Sequence, residues 1–220
     1  MENLSATNVE IIYLFDPLCG WCYGFGPHMN EFAQHHPQFK YTVLSGGMVT
    51  GERVGPLAQI APYIREGVKR VEELSGVKFG EAFLADLNGA GKTHMDSTPP
   101  SKAFVILKES LPEKAVELAH AVQAAFYRDG LDFNDAASYA TVCDSFGIDF
   151  QAFTQKFNSM EYQLATKDEF NEAARYGVSG YPTVVARFGT QYFMLGHGFT
   201  KATQLSQTLL SIVQKEGLTL

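Results

Sequence analysis

Cys19 and Cys22 stand three positions apart in the stretch DPLCGWCYGFGPHM, Asp16 to Met29, with the chain's single tryptophan between them. A pair at that spacing can clip a metal, staple a turn, or work as a reactive dithiol. Structural zinc asks for four ligands, commonly two such pairs or one pair with two well-spaced histidines. Cys143 stands alone, and His28, His35, His36, His94, His120 and His197 supply no histidine pair at metal-site spacing, so no metal is expected. A permanent staple between residues three apart closes so small a loop that its entropic return is minor. The reactive reading has a mechanism. A cysteine at a helix N-terminus faces unsatisfied N–H groups and the positive end of the helix dipole, which favour thiolate over thiol. The sequence therefore predicts an exposed, acidified Cys19 at the turn and a Cys22 tucked into the first helical turn, as nucleophile and resolving thiol. Gly20 is expected to permit the turn. Trp21 offers either a flat apolar surface beside the sulfurs or ordinary packing.

Such a pair needs a strand to deliver it and a helix to cap. Val9 to Asp16 is a short apolar run rich in β-branched and aromatic residues, which reads as a buried strand. A helix opening at the cysteines follows, with Pro27 expected to kink it. Phe39 to Gly47 reads as a second strand, giving the start of an α/β unit with a right-handed crossover. Paired Gly46 and Gly47 mark the strand exit or let a substrate backbone come close. From Pro56 to about Tyr176 the apolar period is helical nearly throughout. Strands return at PTVVARF and QYFMLGH, joined by Gly189-Thr190 as a two-residue hairpin link, and a last amphipathic helix runs from about Thr200 to Glu216.

Composition narrows the function classes. The 220 residues are 45% hydrophobic and 19% charged, a globular balance, and the formal net charge of −7 argues against a polyanionic partner. No nucleic acid partner is expected. No apolar run approaches a membrane span, so no membrane association is expected either. The N-terminal MENLSATNVEIIYLFD lacks the parts of a secretory signal, and three cysteines suit a reducing compartment, so the expected location is cytoplasmic. NGAGKTHMD ends like a phosphate loop but has Asp86 where that motif needs glycine, and reads as a plain loop. Cys143 reads as a small buried hydrophobe. In MDSTPPS, Met95 to Ser101, Ser97 or Thr98 is expected to cap a helix, with a role in lining a glutathione site as the alternative.

A second signal lies far from the first. In GVSGYPTVVARF a proline stands immediately before an apolar strand, where it cannot donate to the ladder. Cys-Gly-Trp-Cys after the first strand, and Gly-Val-Ser-Gly-Tyr-Pro-Thr before a later one, together resemble the thioredoxin-fold superfamily. YLFDPLCGWCYGFGPHM, SGGMVTGE and EAARYGVSGYPTVV look like the DsbA-like oxidoreductase family, in its cytosolic, FrnE-like branch. The resemblance implies a thioredoxin fold with a large all-helical insertion between its βαβ and ββα halves. Residues 1–50 and 165–220 would form the thioredoxin-like domain and residues 51–164 the inserted one. It implies a thiol–disulfide oxidoreductase or isomerase acting on protein or low-molecular-weight thiols, as a monomer or a homodimer. Cys19 would be the attacking thiolate and Cys22 the resolving thiol. Pro182 would be a cis-proline facing them, with the backbone of Tyr181 pairing an extended substrate. No tightly bound cofactor is implied, and glutathione stays open as a redox partner. Gly20 and Trp21 stand where DsbA has proline and histidine, so a potential nearer thioredoxin's roughly −270 mV than DsbA's roughly −120 mV is expected. The same architecture serves kappa-class glutathione transferases and 2-hydroxychromene-2-carboxylate isomerases, which form the alternative. In those a serine typically replaces the first cysteine, and Cys19 counts against them.

Overall fold

The computed structural model describes residues 9–89 and 91–220. Residues 1–8 of the first segment, and Ala90 of the NGAGKTHMD loop, lie outside the described residues. The elements run β1 (Val9–Phe15), α1 (Gly20–His35), β2 (Lys40–Ser45), β3 (Gly55–Pro56), α2 (Ala61–Ser75), α3 (Glu81–Asn88), β4 (His94–Met95), α4 (Thr98–Ser110), α5 (Ala115–Tyr127), α6 (Ala140–Ser145), α7 (Phe150–Phe157), α8 (Met160–Arg175), β5 (Thr183–Phe188), β6 (Gln191–His197) and α9 (Ala202–Glu216).

Four strands form one sheet in the order β2-β1-β5-β6. β1 and β2 are parallel, joined by α1 as the crossover, while β5 runs antiparallel to both β1 and β6. This is a thioredoxin-like sheet. Every residue of β1 is buried. Val9, Ile11, Tyr13 and Phe15 join the main core with residues of α1, α5 and α9, whereas Ile12 and Leu14 meet Leu44, Val185 and Ala173 of α8. A strand covered on both faces has no reason to alternate, which explains why Ile11 to Phe15 is apolar throughout. Helix α1 continues through Pro27 without interruption. The hairpin turns at Gly189-Thr190 between the paired residues Phe188 and Gln191, with Gly189 at φ 59° in the left-handed region.

The segment between β2 and β5 departs from an all-helical reading in one place. β3 and β4 make a small antiparallel ladder, Gly55 opposite Met95 and Pro56 opposite His94. Two residues per strand are too few to leave a periodic signature. The segment also shares cores with the sheet. Phe104, Leu118, Val122, Tyr139 and Phe153 pack in one cluster with β1 and α1. A second cluster around α2 and α3 draws in Leu18 and Tyr23 from the dithiol region. The position 164/165 falls inside α8.

α4, α8 and β2 are tied by one buried ionic contact. Lys108 donates to Val43 O at 2.9 Å and pairs with Glu169, which is only 7% exposed and also accepts from the Ser45 amide at 2.9 Å. Burial pushes the Glu169 carboxyl up, and Lys108 opposes that push. Removing the lysine strands a buried carboxylate, for which costs of about 3–5 kcal/mol are typical. Lys108→Ala should lower the urea midpoint accordingly, and adding Glu169→Gln should recover part of the loss.

Candidate active site

The dithiol sits where β1 ends and α1 begins. Cys19 is the N-cap of α1, its backbone N–H donating to Asp16 O at 3.0 Å. Its sulfur accepts from the Cys22 amide at 3.4 Å, taking up one of the donors that the start of a helix leaves unsatisfied. Its thiol donates to the carbonyl of Tyr181 at 3.5 Å, across 162 residues of sequence. The sheet makes that meeting unavoidable: Leu14 is paired antiparallel with Thr183, so the residues before β5 lie beside those after β1. The Tyr181–Pro182 peptide bond is cis. Cys19, Cys22, Tyr181 and Pro182 are thus gathered at one end of the two central strands.

Two expectations about this loop need correction. Cys19 is buried rather than exposed: it is 6% accessible against 0% for Cys22, with the Tyr181 carbonyl seated against its sulfur. The asymmetry between the two is a matter of a few per cent. Gly20 is not required for a turn. It is the first residue of α1 without a positive φ, and an added Cβ would come no closer than 3.8 Å to Phe79. Burial pushes the Cys22 thiol well up, and its neighbour Cys19 adds to the effect. All three cysteines are free thiols. Cys143 is fully buried, its thiol pushed up to about 11 by burial. Trp21 is half-buried and packs on both the main core and the α2–α3 cluster, bridging them beside the dithiol. Among the described residues no group of three His, Cys, Asp or Glu side chains is placed to hold a metal ion.

Gly46 serves Tyr181. Its missing side chain leaves the space that the Tyr181 phenol fills, since a Cβ would lie 1.9 Å from that hydroxyl oxygen. The hydroxyl donates to Gly46 O at 3.2 Å. Gly47 follows with φ 64°, a left-handed conformation that turns the chain toward the dithiol loop.

Sequence reasoning missed the residue beneath this loop. Asp16 is fully buried, and its carboxylate accepts from the Leu18 amide at 2.9 Å, the Met48 amide at 2.6 Å and the Ser97 hydroxyl at 2.9 Å. Ser97 stands at the N-cap position of α4 but its side chain bonds no amide of that helix, and the Thr98 amide goes instead to Asp96 at 2.8 Å. Ser97 is turned inward by this bond and by accepting from the Val49 amide at 2.9 Å. The loop's carbonyls are held from α5: Gln123 donates to Asp16 O at 3.1 Å and to Cys19 O at 3.3 Å, and Tyr127 donates to Leu18 O at 2.6 Å. The available signal was an acidic residue closing the apolar stretch Ile11 to Phe15, immediately before Pro17. A carboxylate there has to be bonded or neutral.

Burial raises the Asp16 carboxyl from the ordinary aspartate value to about 6, with the three hydrogen bonds acting the other way. The folded state then holds the proton more tightly than the unfolded chain. Stability from this group is complete below the unfolded value of about 3.9 and is lost as pH rises through about 6. Its full size is on the order of 3 kcal/mol. Denaturant titrations from pH 3 to pH 8 should show that decline in the wild type, and Asp16→Asn should flatten it.

A family model for the DSBA-like thioredoxin domain matches residues 10–210. No curated protein matches the chain. Among solved structures, a presumed protein disulfide isomerase from Nitrosomonas europaea is 27% identical, with a TM-score of 0.82 over 96% of this chain and 100% of that one. The cytosolic disulfide reductase DsbM from Pseudomonas aeruginosa is 23% identical, with a TM-score of 0.77 over 94% of this chain and 98% of that one. DsbM has also been solved with glutathione. A 2-hydroxychromene-2-carboxylate isomerase shares the fold at 15% identity, with a TM-score of 0.66 over 94% of this chain and 98% of that one. With the family model spanning nearly the whole sheet-and-helix arrangement described above, the chain belongs to the DSBA-like thioredoxin domain family.

Proposed function

We propose that this protein is a thiol–disulfide oxidoreductase working through the Cys19-Gly20-Trp21-Cys22 dithiol. The observation that carries the reading is the placement of the Cys19 sulfur, between the Cys22 amide at 3.4 Å and the Tyr181 carbonyl at 3.5 Å. The amide and the positive end of α1 support negative charge on that sulfur. The backbone beside Pro182 offers an extended edge along which a substrate chain can lie.

In the cycle, the Cys19 thiolate attacks one sulfur of a substrate disulfide. A Cys19–substrate bond forms and the other substrate sulfur departs with the electron pair of the broken bond. Cys22 then attacks Cys19, the second substrate sulfur is released, and the proton of Cys22 ends on a departing thiolate. The substrate gains two electrons and the protein is left as a disulfide. A thiol reductant must restore it. Glutathione is the proposed redox partner, in line with the DsbM structure that contains it. The reverse sequence oxidises a dithiol or, with a return step, isomerises a disulfide. Three free thiols fit work in a reducing, cytoplasmic setting.

The proposed division of labour puts the chemistry on the segments 1–50 and 165–220. Residues 51–164 supply Ser97, Gln123 and Tyr127, which steady the loop that presents it. The alternative, a glutathione-dependent isomerase or transferase related to 2-hydroxychromene-2-carboxylate isomerase, takes its reacting sulfur from glutathione and needs none from Cys19.

Cys22→Ala should accumulate mixed disulfides with cellular proteins or glutathione, visible by non-reducing electrophoresis and mass spectrometry. Cys19→Ser should abolish insulin reduction. If no adduct forms on Cys22→Ala under oxidising conditions, the two-step cycle is wrong. Glutathione-dependent turnover of an aromatic substrate that survives Cys19→Ser would establish the alternative.

A further inference from the structure

Tyr13 stands on β1 with its ring on the face turned toward α1, and it is 1% exposed. The ring lies between Phe15 and Phe25, at centroid distances of 5.5 and 5.6 Å, in the core cluster that also contains Cys19 and Cys22. Its hydroxyl has no hydrogen-bond partner among the described residues. Two other buried tyrosines, Tyr127 and Tyr139, spend theirs on Leu18 O at 2.6 Å and Phe133 O at 2.9 Å. A buried hydroxyl left without a partner costs on the order of 1–3 kcal/mol. Phenylalanine would give the same packing without that cost.

The surroundings suggest what the hydroxyl is for. Burial holds the phenol well above its ordinary value, and negative charge on Cys22, then on Cys19, adds to the effect. Cys22 lies one helical turn before Phe25 on α1, whose ring is 5.6 Å from that of Tyr13, and the buried phenol stays an intact O–H donor. One step of the proposed cycle is only weakly supported elsewhere: the Asp16 backbone favours charge on Cys22 without outweighing burial. Cys22 is wholly buried with its thiol pushed up, yet it must become a nucleophile. Charge developing on a sulfur inside an apolar core needs a donor that is already in place.

We propose that the Tyr13 hydroxyl donates a hydrogen bond to the Cys22 sulfur during the resolving step, a bond not made in the reduced state and formed as charge builds on that sulfur. This rests on the dithiol cycle above. The Cys22–Cys19 bond forms as the Cys19–substrate bond breaks, and the electron pair leaves on the substrate sulfur, which ends with the Cys22 proton. Tyr13 keeps its own proton throughout. In reverse, Cys22 is the departing thiolate and the same donor serves it. An interaction present only along the reaction path accelerates the step without stabilising the resting protein.

The aromatic disulfide 5,5′-dithiobis(2-nitrobenzoate) separates the two steps. Attack by Cys19 releases one coloured thiolate and attack by Cys22 releases the second, while buried Cys143 reacts late. Tyr13→Phe should leave the first phase and the melting temperature unchanged or slightly raised. The second phase should slow about tenfold, the loss expected for one hydrogen bond to a charged group. Equal rates for both phases in variant and wild type would overturn the proposal, as would equal slowing of both. A trifluorotyrosine at position 13 retains the ring and makes a stronger donor. It should speed the second phase, and an unchanged second phase also counts against the role. Should the wild type itself release no second equivalent, the dithiol cycle fails rather than the assignment of Tyr13.

Discussion

A carboxyl group cut off from water lies under the dithiol, and donors from three separate parts of the chain converge on it. Asp16 takes the Leu18 amide from its own loop, the Met48 amide from the segment after β2, and the Ser97 hydroxyl from the start of α4. A buried ion is tolerated only when its lone pairs are occupied, so each donor is held as firmly as it holds. The α1 N-terminus, the Gly46–Gly47 turn and the helical segment are thereby fixed relative to one another. The positions of Cys19, Tyr181 and Trp21 follow from that fixation, because each sits on one of these pieces or packs between them.

The geometry around the two sulfurs has unequal sources. The Cys22 amide reaches the Cys19 sulfur because an N-cap residue faces the first free amides of its helix, whatever the tertiary fold. The Tyr181 carbonyl reaches it only because β5 pairs with β1 in one register. A shift of one residue would turn every β5 side chain to the opposite face. Local chemistry and sheet register therefore meet at a single atom.

The strongest sequence signals were those with short range. The buried β1, the cysteine pair at a helix start, the proline before β5 and the Gly189-Thr190 hairpin all show in a few adjacent residues. What stayed illegible depended on contacts between distant segments. Ser97 looks like a capping side chain because serine is favoured at helix starts, and only the fold turns its hydroxyl toward Asp16. Gly20 looks like a turn residue because glycine between cysteines suggests a bend, yet the backbone there is already helical. Exposure of Cys19 was misjudged for the same reason. The carbonyl against it comes from residue 181, and no local pattern announces that contact.

The grip of α5 on the dithiol loop has a consequence for engineering. The side chains of Gln123 and Tyr127 bond, among the described residues, to the main-chain carbonyls of Asp16, Leu18 and Cys19. Their hold is indifferent to which side chains the loop carries. The two residues between the cysteines can therefore be exchanged to retune redox behaviour while the backbone stays clamped. Transplanting the four-residue motif alone into a minimal thioredoxin scaffold would carry the chemistry across without its clamp.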